Sequence, residues 1–427
     1  MRHEPAATGV SPRERFASIA GPAYHAGETR QEEQVARYDY LIVGGGMTAD
    51  AAAHGIRRED SKGTIAIVSA EAHSPYNRPP LSKGLWKGDE VDSIWRKTGE
   101  TGAEQVRGRR IVRIDAGARS ATDDGEAVYE YGKLLLATGG RPRRLREAPD
   151  EVIYFRTFDD YRRLRGLADR GASFLVIGGG FIGSEIAAAL RMQEREVTLL
   201  LKGEGIGEGI YPAELSRWLV DYYRGKGVTV HTGVTVQRVE SRDGKLRVPD
   251  GRSELPAADV VVAGLGIEPD VDLARQIGLE VTDGVVVDEH LRTSRETIYA
   301  AGDVASFYNP ALARRLRVEH EDNANTMGET AGRNMAGAGQ RYDHLPFFYS
   351  DLFDLGYEAV GDLSARHQIV EDWKEQFREG VIYYLDRGRV RGVLLWNTWG
   401  QVDAARALIA EPGPFSPEQL KGRLPVE

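Results

Sequence analysis

The chain has 427 residues, enough for two to four domains of about 100–200 residues each. Its composition, 41% apolar and 28% charged, excludes a wholly disordered or collagen-like chain, and its net charge of −9 argues against a general nucleic-acid binder. No apolar run reaches the ~18–20 residues of a membrane span, and the absence of cysteine excludes disulfides, cysteine-ligated metals and thiol catalysis.

The beginning of the chain predicts a disordered extension followed by a βαβ unit. Residues 1–37 show no sustained periodicity and no secretory signal, and we therefore expect a cytoplasmic location. Order begins with the apolar run Tyr38–Val43, which three glycines follow at once. The alanine-rich stretch Ala49–Arg58 predicts a helix, and Thr64–Val68 predicts the next strand.

The same pattern returns 134 residues later. Ser173–Ile177 predicts a strand, Gly178–Gly180 a turn, and Glu196–Leu201 the strand that follows the next helix. A second pair of similar segments, Lys133–Gly139 and Asp259–Gly264, has the apolar character of buried strands. The repetition of both patterns predicts two similar α/β units, a stronger conclusion than either motif supports alone.

The sequence changes character from about residue 341. Aromatic and β-branched residues cluster in runs such as Val381–Tyr384 and Val393–Trp396, and turn signals such as Asp386–Gly388 separate them. These runs predict an antiparallel sheet, and the spacing of apolar residues in Val402–Ala410 predicts a helix. We therefore predict a third, α+β domain at this end of the chain.

Both glycine turns match the dinucleotide-binding fingerprint G-x-G-x-x-G/A. The matching residues are Gly44, Gly46 and Ala49 in the first turn and Gly178, Gly180 and Gly183 in the second. In this fingerprint the first glycine allows a tight turn, the second lets the backbone approach a pyrophosphate, and the third small residue lets helix and strand pack closely. Two fingerprints predict two dinucleotides, naturally a flavin and a nicotinamide; the alternative is two glycine turns without ligands.

Charged residues follow the second strand of each unit. Glu71 is the candidate to bind a ribose in the first unit, and its alternative role is that of an ordinary surface glutamate. In the second unit Lys202 could meet a 2′-phosphate and Glu204 could bind a ribose, or both could be solvated loop charges. We favour NADH over NADPH and leave NADPH open.

Several motifs together resemble the FAD-dependent pyridine-nucleotide oxidoreductases with two Rossmann-like domains, over about residues 38–410. The motifs of this resemblance are Tyr76–Lys83, Ala137–Gly139, Gly178–Glu185 and Ala301–Asp303. Further segments resemble the branch of ferredoxin reductases and apoptosis-inducing factors, in particular its bacterial members. These segments are Val318–Ala324, Pro346–Asp351 and Gly356–Ala359, with Gly207–Val228 and Val393–Asn397 closer to apoptosis-inducing factor.

The resemblance implies roles for individual residues. It assigns FAD binding to Gly44, Gly46, Glu71, Arg78, Lys83, Thr138, Gly139, Asp303, Glu319, His320 and Tyr349. It assigns the nicotinamide side to Gly180, Gly183, Glu185 and Gly266. Lys83 and Glu185 would pair near the flavin N5 as the catalytic residues, and the alternative is a structural salt bridge. The family usually has tryptophan where this chain has Tyr349.

The predicted fold class is α/β: two Rossmann-like domains, for FAD and NAD(P), and a C-terminal α+β domain. The predicted boundaries are a disordered extension (1–37), an FAD-binding domain in two parts (38–155 and 285–340), an NAD(P)-binding domain (156–284) and a C-terminal domain (341–427).

The predicted function is NAD(P)H-dependent reduction of FAD followed by electron transfer to an acceptor, as in apoptosis-inducing factor. The alternatives are a ferredoxin or rubredoxin reductase of an oxygenase system and an NADH-gated binding module. Ferredoxin, quinone and oxygen remain open as acceptors, and a homodimer, perhaps redox-dependent, is open too. No metal site and no nucleic-acid partner are predicted. Two basic runs, 141–144 and 314–317, could dock an acidic carrier or form a solvated face.

Overall fold

A computed structural model of the protein describes residues 35–249 and 255–425. Most of the predicted extension lies outside these residues. Its predicted end at residue 37 is three residues too late, because the first strand begins at Val35 and Val35 already pairs with Val128.

The described residues form the following strands and α-helices along the chain. The strands are β1 Val35–Val43, β2 Ile65–Ser69, β3 Glu104–Arg107, β4 Ile111–Asp115, β5 Ser120–Asp123, β6 Val128–Leu136, β7 Gly140–Pro142, β8 Phe174–Ile177, β9 Val197–Leu200, β10 Thr229–His231, β11 Glu240–Arg242, β12 Lys245–Arg247, β13 Val260–Ala263, β14 Ile267–Pro269, β15 Val281–Thr282, β16 Gly284–Val286, β17 Ile298–Ala300, β18 Ala305–Asn309, β19 Arg314–Leu316, β20 Phe347–Leu352, β21 Leu355–Gly361, β22 Gln368–Glu375, β23 Glu379–Asp386 and β24 Arg389–Trp396. The α-helices are α1 Met47–Glu59, α2 Gly84–Lys87, α3 Phe158–Asp169, α4 Phe181–Met192, α5 Ala213–Gly225, α6 Asp272–Gln276, α7 Glu321–Met335, α8 Val402–Ala410 and α9 Pro417–Leu420.

The first sheet is built around β1. Its strand order is β3-β2-β1-β6-β5-β4, and β17 pairs in parallel with the last part of β6. The end of β1 and all of β2 are buried, as expected for parallel strands that are covered on both faces. The carboxyl ends of β1, β2 and β6 therefore meet at one edge, where the first glycine turn leads into α1.

The second sheet repeats this arrangement with four parallel strands in the order β10-β9-β8-β13. The second glycine turn joins β8 to α4, just as the first joins β1 to α1. The short strands β7 and β14 pair with each other in antiparallel fashion and lie at the two connections between the sheets. The second sheet is therefore inserted between β6 and β17, two strands of the first.

The last part of the chain forms an antiparallel sheet of five strands in the order β20-β21-β24-β23-β22, with α8 packed against β21 and β24. One hydrophobic core joins this sheet to the second: Phe174 and Tyr223 share a cluster with Tyr357 and Trp396. Smaller sheets are β15-β16-β18-β19 and β11-β12.

These sheets confirm the predicted α/β fold class with two Rossmann-like units and a C-terminal antiparallel sheet. Val402–Ala410 is helical as predicted. In the described ranges we find no helix with the length and apolar character needed to cross a bilayer.

Candidate functional site

The first glycine turn requires glycine at Gly44 and leaves open space at Gly46. Gly44 has a φ of +119°, and a Cβ there would lie 2.1 Å from the carbonyl oxygen of Ala137. Gly46 caps α1, and a Cβ at Gly46 would meet nothing nearer than an Arg78 nitrogen at 4.0 Å. Ala49 is fully buried against the sheet. The turn thus leaves an open cradle at a helix N-terminus, the place where a pyrophosphate binds.

Arg78 lies at the centre of a polar network beside this cradle. Its guanidinium pairs with Glu71 and donates to the carbonyl oxygen of Arg156 at 3.0 Å. Tyr76 donates its hydroxyl to Glu71 at 2.6 Å, and Arg156 pairs with Asp303 at 2.9 Å. Burial raises the pKa of Glu71, but the Arg78 cation, the hydrogen bonds from Tyr76 and Arg78 and the charge of Arg156 together outweigh this effect and hold that pKa below its usual value. Glu71 is therefore a carboxylate held by Arg78 and Tyr76 rather than an ordinary surface glutamate.

A cavity of about 370 Å³ opens at the carboxyl edge of the first sheet. Apolar parts of Val43 and Val68 line it together with Gly44 and Thr138, and charged side chains, among them Arg109, stand at its rim. The cavity and the glycine cradle adjoin one another, so these residues fit the nucleotide half of FAD.

Lys83 and Glu185 form a buried ion pair at 2.8 Å, with side chains only 11% and 2% exposed. Glu185 also accepts hydrogen bonds from the hydroxyls of Ser82 and Ser350, each at 2.6 Å. Three distant segments thus meet here: the turn before α2, helix α4 and strand β20. The Lys83 ammonium and the two serine hydroxyls compensate the free-energy cost of burying the Glu185 carboxylate. The structure thus brings the two predicted catalytic residues, Lys83 and Glu185, into contact.

His320, at the start of α7, lies among aromatic rings. It stacks on Phe348 with ring centroids 4.1 Å apart, and the edge of Phe181 approaches it at 6.3 Å. Burial lowers the pKa of His320 to about 4, so the imidazole is neutral at pH 7. A second cavity, of about 260 Å³, is lined by these three residues and by Glu319.

Two further predicted flavin contacts lie near His320. Burial raises the pKa of Glu319, which pairs with Arg317 at 2.6 Å. The ammonium of Lys83 lies over the ring of Tyr349 at 5.4 Å, and the hydroxyl of Tyr349 donates to Glu321 at 3.4 Å. Tyr349 therefore occupies the place that the resemblance gives to tryptophan and contacts the predicted catalytic lysine.

The second glycine turn has the same design as the first. Gly178 has a φ of +105°, and a Cβ at Gly183 would lie 1.9 Å from the carbonyl oxygen of Gly178. A Cβ at Gly180 would meet no described atom within 4 Å, which leaves room for a phosphate. Lys202 and Glu204 follow β9 and are both exposed. These residues fit a second dinucleotide. Gly139 and Gly266 occupy the two connections between the sheets, and both have positive φ.

The two predicted basic runs are paired with carboxylates in part, while Arg143 and Arg315 donate to backbone carbonyl oxygens and Arg144 lies over the ring of Tyr154. Arg141 pairs with Glu268 and Asp272, each at 2.8 Å. Arg314 pairs with Asp362 at 2.9 Å, and Arg317 pairs with Asp283 as well as Glu319. Three of the six arginines thus have a carboxylate partner, and the docking of an acidic carrier on these runs stays a prediction.

Sequence reasoning missed several residues of this site. Tyr76 and Ser82 lie inside the distinctive Tyr76–Lys83 stretch, whose unusual composition was the available signal. Arg156 had no such signal, and Ser350 lies within the Pro346–Asp351 segment of the resemblance, but its contact with Glu185 had no signal because the two are far apart in the sequence. Among the described residues no cluster of histidine, aspartate and glutamate is arranged to hold a metal ion.

Comparisons with known proteins match this architecture. Residues 38–328 match the family model "Pyridine nucleotide-disulphide oxidoreductase", and residues 363–411 match "Apoptosis-inducing factor, mitochondrion-associated, C-term". Apoptosis-inducing factor 1, mitochondrial, of Dictyostelium discoideum is 32% identical, over 89% of this chain and 79% of its own length. The ferredoxin–NAD(+) reductase component of the anthranilate 1,2-dioxygenase system of Burkholderia cepacia is 32% identical, over 89% and 96%.

A solved structure has a similar fold. The crystal structure of the covalent putidaredoxin reductase–putidaredoxin complex aligns with a TM-score of 0.83 at 29% identity, covering 90% of this chain and 96% of the other. Since the sequence contains no cysteine, a dithiol relay beside the flavin is impossible here. The chain belongs to the pyridine nucleotide-disulphide oxidoreductase family, and it is an FAD-dependent oxidoreductase that uses NADH.

Proposed function

We propose that Lys83 and Glu185 promote reduction of FAD by NADH, and that the electrons then pass to a ferredoxin-type iron–sulfur protein. The observation that carries the first part is the buried ion pair, placed beside the second glycine turn, Tyr349 and the aromatic group around His320. FAD held by these residues would supply the hydride acceptor for NADH and the onward electron transfer. The names of two relatives, a ferredoxin–NAD(+) reductase and putidaredoxin reductase in complex with putidaredoxin, support the second part.

The residues of the site have distinct tasks in this proposal. Arg78 offers a planar fork to a phosphate, while Glu71 holds that fork in place. Asp303 is fixed by Arg156 and can accept hydrogen bonds from a polyol. The Lys83 ammonium, held by Glu185, supplies a fixed positive charge and orients the nicotinamide. Neutral His320 adds no charge of its own at pH 7.

One observation favours a second candidate, a slow apoptosis-inducing-factor-like oxidoreductase: residues 363–411 match the C-terminal model of that group. In this function the NADH-reduced protein would persist in air and gate partner binding. We also propose a cytoplasmic location, where NADH is available. A redox-dependent homodimer is a further proposal, which size-exclusion chromatography with and without NADH will test.

The acceptor test uses the NADH-reduced holoenzyme, prepared without oxygen and mixed with a [2Fe–2S] ferredoxin, a soluble quinone or air-saturated buffer. We expect ferredoxin to reoxidise the flavin at least tenfold faster than air, at a rate that falls with added salt if the basic runs dock an acidic carrier. The measurement is stopped-flow absorbance of the flavin. Slow reoxidation by all three would overturn the ferredoxin proposal and favour the second candidate.

The nucleotide preference is tested at Glu204. We expect Glu204→Ala to raise the KM for NADH about tenfold, since a charged hydrogen bond to the ribose is lost. Glu240→Ala is the matched control, an exposed glutamate on β11 that pairs with Arg238. Initial rates with NADH and NADPH measure the effect. An unchanged KM for NADH would show that Glu204 is only a solvated loop charge.

A further inference from the structure

The Glu185 carboxylate is held at both of its oxygens. Oε1 pairs with the Lys83 ammonium at 2.8 Å and accepts a hydrogen bond from Ser350 at 2.6 Å, and Oε2 accepts one from Ser82 at 2.6 Å. A carboxylate bonded at one oxygen can still turn about its side chain, whereas donors at both oxygens fix its plane. We call Ser82 and Ser350 the serine clamp.

The two serines reach Glu185 from separate parts of the chain. Ser82 directly precedes Lys83 in the short turn before α2, and its hydroxyl lies 3.4 Å from the carbonyl oxygen of Pro79, so the carboxylate is the nearer acceptor and the charged one. Ser350 lies on β20. Both serines and Glu185 are at most 5% exposed, so bulk water does not compete for these hydrogen bonds.

The strand that carries the second serine is fastened to the inserted unit at its far end. β20 turns into β21 at Phe353 and Asp354. Asp354 pairs with Lys226, just after α5, at 2.5 Å, and the ring of Phe353 meets that of Tyr223 on α5 at 5.0 Å, edge-on. Tyr223 donates to the carbonyl oxygen of Ser184 at 3.1 Å, the residue before the clamped glutamate. These contacts fix β20 relative to α4.

We propose that the serine clamp positions Glu185, and through it the ammonium of Lys83, for reduction of FAD by NADH. Since Ser350 belongs to the C-terminal sheet, this sheet contributes directly to the geometry of the catalytic pair. The inference rests on the proposed function, in which Lys83 and Glu185 act together. Ser82 and Ser350 are positioning residues, because they act through Glu185.

Removing one hydroxyl at a time tests the clamp in the holoenzyme. Ser82→Ala and Ser350→Ala should each lower the limiting rate of flavin reduction by NADH about tenfold, with little change in the NADH concentration for half-saturation, because one hydrogen bond to a charged group is lost. Ser350→Thr should restore the rate, because it keeps the hydroxyl. Ser306→Ala is the matched control and should keep the full rate: this buried β18 serine accepts a hydrogen bond from Thr282 at 3.4 Å.

A second readout needs neither FAD nor turnover. In the apoprotein, Ser82→Ala and Ser350→Ala should each lower the melting temperature by roughly 2–4 °C, since a buried carboxylate loses a donor. In the background Lys83→Met/Glu185→Leu, which removes both buried charges, the same serine substitutions should not lower the melting temperature, because their acceptor is gone.

The outcomes separate the clamp from the proposed function. Equal losses of melting temperature in both backgrounds, or holoenzyme rates of the two serine variants equal to that of Ser306→Ala, would overturn the clamp. If Lys83→Ala leaves the limiting rate of flavin reduction unchanged, the proposed function fails instead, whatever the serine variants do.

Discussion

Lys83→Ala is expected to lower the limiting rate of flavin reduction by NADH about 10²-fold, the usual effect of removing one preorganised electrostatic group from an active site. The ammonium is held at 2.8 Å from Glu185, almost out of contact with water, and lies over the ring of Tyr349. A charge fixed in such surroundings acts strongly, because little solvent screens it. Anaerobic stopped-flow absorbance of the flavin is the measurement.

This variant needs controls, since it leaves a buried carboxylate without its cation. Breaking a buried ion pair commonly costs about 3–5 kcal/mol of folding free energy. The double variant Lys83→Ala/Glu185→Gln should recover part of the lost folding free energy, and its limiting rate of flavin reduction should stay as low as that of Lys83→Ala. Lys87→Ala, which removes an exposed lysine paired with Asp351, should leave both unchanged. Wild-type reduction rates in Lys83→Ala would reduce the pair to a structural salt bridge.

Arg78→Ala is expected to weaken FAD binding about 10²–10³-fold, so that the protein is purified largely without flavin. The guanidinium stands next to the open side of Gly46 and can offer two charge-assisted hydrogen bonds to a pyrophosphate, each worth about 1.5–3 kcal/mol. Arg78→Lys should recover only part of the affinity for FAD, because an ammonium keeps the positive charge but cannot donate the two parallel hydrogen bonds of a guanidinium.

The flavin content after purification and an FAD titration of the apoprotein, followed by quenching of flavin fluorescence, measure this effect. Arg58→Ala is the matched control, since Arg58 is 61% exposed and pairs with Glu329 on the surface. The circular dichroism of the apoprotein separates lost binding from lost folding. Full flavin content in Arg78→Ala would show that the Glu71–Arg78 pair serves the fold and not the cofactor.

The features that could be predicted from the sequence are local. A glycine turn between an apolar strand and a helix has a steric cause within a few residues, as the close approach of Gly44 to Ala137 illustrates. Both turns, their strands and the helix Val402–Ala410 were therefore predictable. The contact between Lys83 and Glu185 was expected only from the resemblance to a family, and the structure brings the two side chains together.

The features that could not be predicted depend on contacts between distant segments. Ser350 and Glu185 are 165 positions apart, and Arg156 and Asp303 are 147 apart. The periodicity of the sequence does not show that Ser350 contacts Glu185, or that Arg156 contacts Asp303. The ion pairs of Arg314 with Asp362 and of Arg317 with Asp283 could not be predicted for the same reason, because these partners come from other segments.

The insertion of the second sheet has a consequence for synthesis of the chain. β17 completes the first sheet beside β6, yet it leaves the ribosome only after the whole inserted segment. At about 5–20 residues per second, the unpaired edge of β6 waits roughly 10–30 s for its neighbour, and such an edge is a template for pairing with another chain. The pairing of β7 with β14 brings the two ends of the insertion together and shortens the loop that must close. These two short strands thus help the nascent chain to finish its first sheet before another molecule can pair with that edge.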